Sequence, residues 1–130
     1  MTPRHPAGRI VIPGPAGAID TLVEPPAAAP RGIALVAHPH PLFGGSAENK
    51  VAQTLAKTLR DLGHAALRPN FRGVGASAGG HDEGVGETED LLAVLDWGRA
   101  RFGDLPVILA GFSFGAYVQT RVAKRLVDGG

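Results

Sequence analysis

The sequence predicts an α/β domain, a mostly parallel sheet with helices on both faces, led by an antiparallel hairpin. Three observations predict it. Gly32–Ala37 and Pro106–Ala110 are short, continuously apolar runs, as strands buried on both faces should be. Segments with apolar residues at helical spacing alternate with the strand candidates, which is how a parallel sheet is wound. Gly and Pro are abundant, 19 and 11 in 130 residues, yet they fall between the apolar segments and so act as punctuation rather than low-complexity sequence.

Taken in order, Arg9–Pro13 is a short strand, and Ala18–Val23 is its hairpin partner across a Pro-Gly turn. Glu24–Arg31 carries Pro25, Pro26 and Pro30, cannot donate to a ladder, and is an extended surface connection. The Gly32–Ala37 strand follows, then a polar, proline-rich stretch from His38 to Gly45. Ser46 is the predicted N-cap of a helix whose apolar residues are Val51, Leu55, Leu59 and Leu62, with Gly63 as its left-handed stop. His64–Arg68 returns as a strand, completing a strand-helix-strand unit of right-handed crossover. After a glycine-rich loop, Glu87, Glu89 and Asp90 occupy the first turns of a helix, where the macrodipole favours carboxylates, and Leu91, Leu92, Val94 and Leu95 form its apolar face. That helix ends near Phe102-Gly103, the Pro106–Ala110 strand follows, and a last helix buries Val118, Val122 and Leu126.

Composition excludes several function classes. Thirteen Lys and Arg against twelve Asp and Glu leave a formal charge of +1, scattered along the chain, so neither nucleic acid nor a membrane surface is an expected partner. No cysteine is present, which removes disulfides, a thiol nucleophile and Cys-based zinc sites, and fits a reducing compartment. Met1 to Arg9 holds no apolar run of signal-peptide length, and no later stretch approaches the ~20 apolar residues of a membrane span. A soluble, cytoplasmic protein forming one domain over residues 1–130 is the expectation.

The motif that carries chemistry is Gly111-Phe112-Ser113-Phe114-Gly115. A serine hydroxyl is a poor nucleophile, and an enzyme must expose it on a sharp turn, align a base with it and surround the developing oxyanion with N–H donors. G-x-S-x-G serves the first need, because glycines on either side of the serine let a strand and a helix approach closely. The pentapeptide is short enough to arise by chance. Its placement between a buried strand and a helix is what makes Ser113 the expected nucleophile.

His38-Pro-His-Pro-Leu-Phe-Gly-Gly45 leaves the carboxyl end of the first buried strand, where open α/β sheets place ligands. An oxyanion hole takes one N–H from the residue after the nucleophile, Phe114, and another from this earlier loop. Pro39 and Pro41 have no N–H, so the second donor is His40 or Leu42, with Phe43 a weaker alternative. His38 or His40 could serve as a local base if its ring turned toward Ser113. Phe43 and Phe112 suggest an apolar pocket for an acyl group. The two histidines lack a third ligand at a familiar spacing, so no metal is expected.

Gly73-Val-Gly-Ala-Ser-Ala78 matches a dinucleotide fingerprint in letters only, since Gly79-Gly80-His81-Asp82 continues as loop where a helix would have to start; no cofactor is expected. Asn70–Ser77 reads as a tight turn over the site with Arg72 paired locally, and His81, Asp82 and Glu83 as a polar loop tip facing water.

Together, His38–Gly45, Asn70-Phe-Arg-Gly-Val-Gly-Ala-Ser77 and Gly111–Gly115 resemble the α/β-hydrolase superfamily, in particular its compact, lidless bacterial members related to dienelactone hydrolase and small serine esterases. The resemblance spans nearly the whole chain. It implies a sheet ordered 1-2-4-3-5 over this part, a small-molecule ester or thioester substrate, and a nucleophile, acid, histidine order along the chain. The sequence departs from that order. Its histidines, at 5, 38, 40, 64 and 81, all precede Ser113, and the only acid after it is Asp128. The later acid and histidine of the family have no counterpart here, so the chain is expected to be roughly the first three fifths of such a domain. The alternative function is a catalytically incomplete fragment or a non-catalytic assembly module, self-associating through the exposed edge of the last strand.

Overall fold

The computed structural model describes residues 7–129; His5 lies outside them. The strands are β1 (Gly8–Gly14), β2 (Gly17–Glu24), β3 (Gly32–Ala37), β4 (His64–Pro69) and β5 (Val107–Gly111), and the helices are α1 (Lys50–Asp61), α2 (Val85–Phe102) and α3 (Phe114–Asp128). One sheet takes the order β1-β2-β4-β3-β5, as expected. The β1/β2 and β2/β4 pairs are antiparallel, while β4/β3 and β3/β5 are parallel. The hairpin closes with Gly14 opposite Gly17.

Alternation along β3 divides the core in two. Ile33 and Leu35 pack, with Leu67 of β4, against Leu91, Val94 and Leu95 of α2 and Val118 and Val122 of α3. Ala34 and Val36 face the opposite side with Ala66, against Ala52 and Ala56 of α1. Successive side chains of a strand point to opposite faces, so the unbroken apolar run is what a sheet covered on both sides requires.

The start of α1 differs from expectation. Asn49, not Ser46, is the N-cap, its Oδ1 accepting the N–H groups of Val51 and Ala52 at 2.9 and 3.2 Å. Ala47 is the reason: its N–H donates to Asn70 Oδ1 and its carbonyl accepts from Arg68 Nη1, which fixes residue 47 to the end of β4. The helix starts only beyond that anchor. The buried stripe also differs, because Ala52 and Ala56 are buried while Val51 and Leu62 are exposed. Replacing the cap, Asn49→Ala, is expected to lower stability by about 1 kcal/mol, read as an earlier urea midpoint with unchanged slope.

Register places the site. Ala37 at the end of β3 pairs with Gly111 at the end of β5, so the segment 38–45 and the turn 112–115 leave the sheet side by side. The segment after β4 joins them, tied down by the Asp20 carboxylate, which accepts from Arg9, Asn70 Nδ2 and the Ala76 N–H. Burial pushes the Asp20 carboxyl up, and these three donors outweigh it and hold it below the ordinary carboxylate range. Arg72 reaches further than a local pairing, donating to Asp90 on α2 at 2.7 Å.

Candidate active site

The turn at Ser113 is built by close approach. A Cβ on Gly111 would stand 2.7 Å from the Ala116 nitrogen, and one on Gly115 would stand 2.5 Å from the His38 carbonyl oxygen and closer still to that of Ala37. Only hydrogen fits at either position, so β5 can enter α3 directly and α3 can rest on the end of β3. Between them Ser113 takes φ 57°, ψ −120°, a left-handed conformation that is strained for a residue with a side chain. Ser113 is solvent-exposed and its side chain caps nothing in the helix that follows. Phe114 opens α3, so its N–H is one of the first-turn donors that no helical carbonyl can reach, and the positive end of the helix dipole faces the same point.

The segment 38–45 forms a 3₁₀ turn over Pro41–Phe43, with Phe43 and Gly45 donating to the His40 carbonyl and Gly44 to that of Pro41. The Leu42 N–H donates to His40 Nδ1 at 3.0 Å and is thereby committed within the turn. The His40 N–H has no acceptor among the described residues. Of the two donors left open by the sequence, His40 is the one that remains available.

Neither histidine of this segment presents a base to Ser113. His38 is fully buried, its Nδ1 2.7 Å from the Pro39 carbonyl and its Nε2 accepting the Phe71 N–H at 2.9 Å. A carbonyl only accepts, so Nδ1 carries the proton and the single lone pair of the ring is spent on Phe71. Burial pushes the His38 imidazole down to about 4, against the opposing pull of the Pro39 carbonyl. In His40 the Nδ1 lone pair is occupied by Leu42, which leaves the neutral ring with its proton on Nε2. His64 lies at the opposite end of the sheet, at the start of β4.

Aromatic groups wall the turn. The Phe114 ring lies 5.4 Å from Phe71, 4.9 Å from His40, 5.3 Å from His81 and 6.1 Å from Tyr117 between centroids. Phe43 extends the wall beside His40 and is 86 % exposed; Phe112, beside Ser113, is 46 % exposed and so belongs to the surface. His81, Asp82 and Glu83 are exposed, as the sequence suggested, but the His81 ring also makes contacts the sequence did not show. The ring packs on His40 at 4.5 Å, and its Nδ1 stands 3.3 Å from the fully buried Glu87 carboxylate. Glu87 also accepts the Gly84 and Asp82 N–H groups, and Asp82 in turn accepts from Gly86 at the start of α2.

Phe71, Tyr117 and Glu87 were not singled out as site residues by the sequence. Glu87 was legible as a first-turn carboxylate of α2, and its acceptance of the Gly84 N–H is the half of a capping box that a glycine N-cap allows. Gln119 is another, reaching from α3 to donate to the Leu35 and Ala110 carbonyls beneath the turn. Among the described residues no group of three or more His, Asp or Glu is placed to hold a metal ion, and no helix is long and apolar enough to cross a membrane.

An exposed hydroxyl on a strained turn at the N-terminus of a helix is suited to attacking a carbonyl. Known proteins share this arrangement of chain. The family described as alpha/beta hydrolase fold matches residues 40–128. The structure of XC6422 from Xanthomonas campestris, described as a member of a/b serine hydrolase without lid, superposes with a TM-score of 0.88 at 44 % identity, covering 96 % of this chain and 60 % of that one. The uncharacterized protein RP471 of Rickettsia prowazekii is 42 % identical over 118 residues, covering 90 % of this chain and 50 % of its own length. Lysophosphatidylserine lipase ABHD12 of Gallus gallus is 42 % identical over 74 residues, 57 % of this chain and 19 % of that protein. The chain thus spans half the length of the first of these curated relatives and a smaller share of the second.

Proposed function

Because this chain belongs to the alpha/beta hydrolase fold family, we propose that it is a serine hydrolase acting on carboxylic ester or thioester bonds, with Ser113 as the nucleophile. The observation that carries this reading is the strained, exposed Ser113 between β5 and α3, φ 57° and ψ −120°. Strain of this kind persists where the surroundings enforce it, and here Gly111 and Gly115 do so.

Ser113 Oγ attacks the carbonyl carbon as its proton passes to a base, and the carbonyl oxygen becomes an oxyanion held by the N–H groups of Phe114 and His40. Collapse expels the alcohol or thiol, which recovers the proton, and leaves an acyl-serine for water to cleave. The base is a group other than His38 or His40, whose lone pairs are committed to Phe71 and Leu42. Phe43, Phe112 and Tyr117 line the approach as apolar surface for the acyl portion, in keeping with their exposure beside the turn. The likeness to a lysophosphatidylserine lipase supports an acyl ester as substrate.

Intact mass after treatment with a fluorophosphonate tests this. Wild type is expected to take up a single adduct on Ser113 and Ser113→Ala none; a folded, monodisperse wild type that takes up none would overturn the reading. One observation favours a second reading, assembly through β5. Among the described residues this strand pairs with β3 alone, and all five of its residues remain half-buried. Sedimentation velocity separates the two: concentration-dependent assembly without serine reactivity would favour assembly.

A further inference from the structure

The proposed oxyanion donors belong to segments far apart in sequence, His40 after β3 and Phe114 at the start of α3, so something must hold their N–H groups in register. The side chains of both residues touch one third group. His40, Phe114 and His81 form a closed triangle of rings, with centroid separations of 4.5 Å for His40–His81, 4.9 Å for His40–Phe114 and 5.3 Å for His81–Phe114. His81 is itself fixed from behind. Its Nδ1 faces the Glu87 carboxylate at 3.3 Å, and that carboxylate is fully buried and anchored by the Asp82 and Gly84 N–H groups at 2.8 and 3.0 Å.

We propose that His81, oriented by buried Glu87, is the positioning residue of the oxyanion hole, bracing the His40 and Phe114 rings so that their N–H groups converge on one point. This rests on the reading of Ser113 as nucleophile with His40 and Phe114 as donors. A buried carboxylate with two backbone donors does not need a histidine to cap a helix, yet here it also meets an imidazole whose ring lies against both donor residues. The brace matters because the 3₁₀ turn is weakly supported on its outer side, where Leu42 and Phe43 are 82 % and 86 % exposed. Displacing one donor by about 1 Å is enough to cost up to a hundredfold in rate.

The test uses the full chain with His81→Ala, which removes the ring, and His81→Phe, which keeps the ring and loses its carboxylate contacts, to Glu87 and, at 3.7 Å, to exposed Glu83. Two readouts are taken: the fluorophosphonate reaction of Ser113 over a range of probe concentrations, and amide hydrogen exchange at Phe43 and Gly45, whose N–H groups both bind the His40 carbonyl. For His81→Ala the limiting rate is expected to fall at least tenfold with the half-saturating concentration within twofold, and exchange at Phe43 and Gly45 to quicken about tenfold while β3 amides are unchanged. His81→Phe is expected to restore both within about threefold. Unchanged exchange at Phe43 and Gly45 in a folded His81→Ala overturns the brace, and so does a His81→Phe that reacts as slowly as His81→Ala with the turn intact. If wild type does not react at all, the reading of Ser113 fails by itself, and the exchange measurement still decides whether His81 braces the turn.

Discussion

Gly115→Ala is expected to destabilise the protein by about 3 kcal/mol and to lower its melting temperature by roughly 10 °C. Gly115 lies in the first turn of α3, where alanine is the better helix former by about 1 kcal/mol, so propensity alone predicts a gain. Packing reverses the sign. The added methyl would meet the His38 carbonyl oxygen at 2.5 Å and the Ala37 carbonyl more closely, and both neighbours are backbone, unable to swing aside as a flexible side chain would. Relief requires α3 to move off β3, and that motion drags Ser113 and the Phe114 N–H with it. Gly80→Ala is the control, because a Cβ there meets nothing within 4 Å. It is expected to be neutral or slightly stabilising. Urea midpoints for the two variants check the claim, and equal midpoints would mean that the close approach of α3 to β3 does not constrain the turn.

This contrast marks what could be read from the residues in advance. The strands β3 and β5 and the turn at Ser113 are legible because their signals are local: an apolar run bounded by turn residues, and a pentapeptide whose two glycines are separated by three residues. The start of α1 was misread because Ser46 and Asn49 are both good caps, and the choice between them is made by Asn70 and Arg68, twenty or more residues away, which pin Ala47. The candidate site divides in the same way. Ser113 and the Phe114 N–H follow from one motif. Which of His40 and Leu42 keeps a free N–H depended on a side-chain ring accepting from the backbone two residues on, and no spacing rule shows that. His81 reads as a loop tip when its neighbours Asp82 and Glu83 are considered, and as a packed ring only when the partners His40 and Phe114 arrive from other segments.

His38 gives the second large effect, and its sign follows from burial. In the folded protein the imidazole titrates near 4, in the unfolded chain near its ordinary 6.5. Between those values the unfolded state binds a proton that the folded state refuses, so stability rises with pH across this window. The contribution of His38 is therefore fully present above pH 6.5 and is lost as pH falls toward 4, by about 3 kcal/mol in all. His38→Phe isolates it, since the remaining histidines are common to both proteins and cancel in the difference. The variant strands the Phe71 N–H and the Pro39 carbonyl, so at pH 7 it is expected to be less stable by about 2 kcal/mol. As pH falls wild type loses its advantage, and the two stability curves are expected to cross near pH 5, about where 1.5 pH units of titration have removed that difference. Parallel curves would mean that His38 is solvated when folded. Protonation would also end the acceptance of the Phe71 N–H by Nε2, releasing the start of the segment that carries His40. The rate of Ser113 modification is accordingly expected to fall in wild type only as pH approaches 4, where the folded imidazole itself takes up the proton, because the proposed oxyanion donor is set by the residue two positions after the one that titrates.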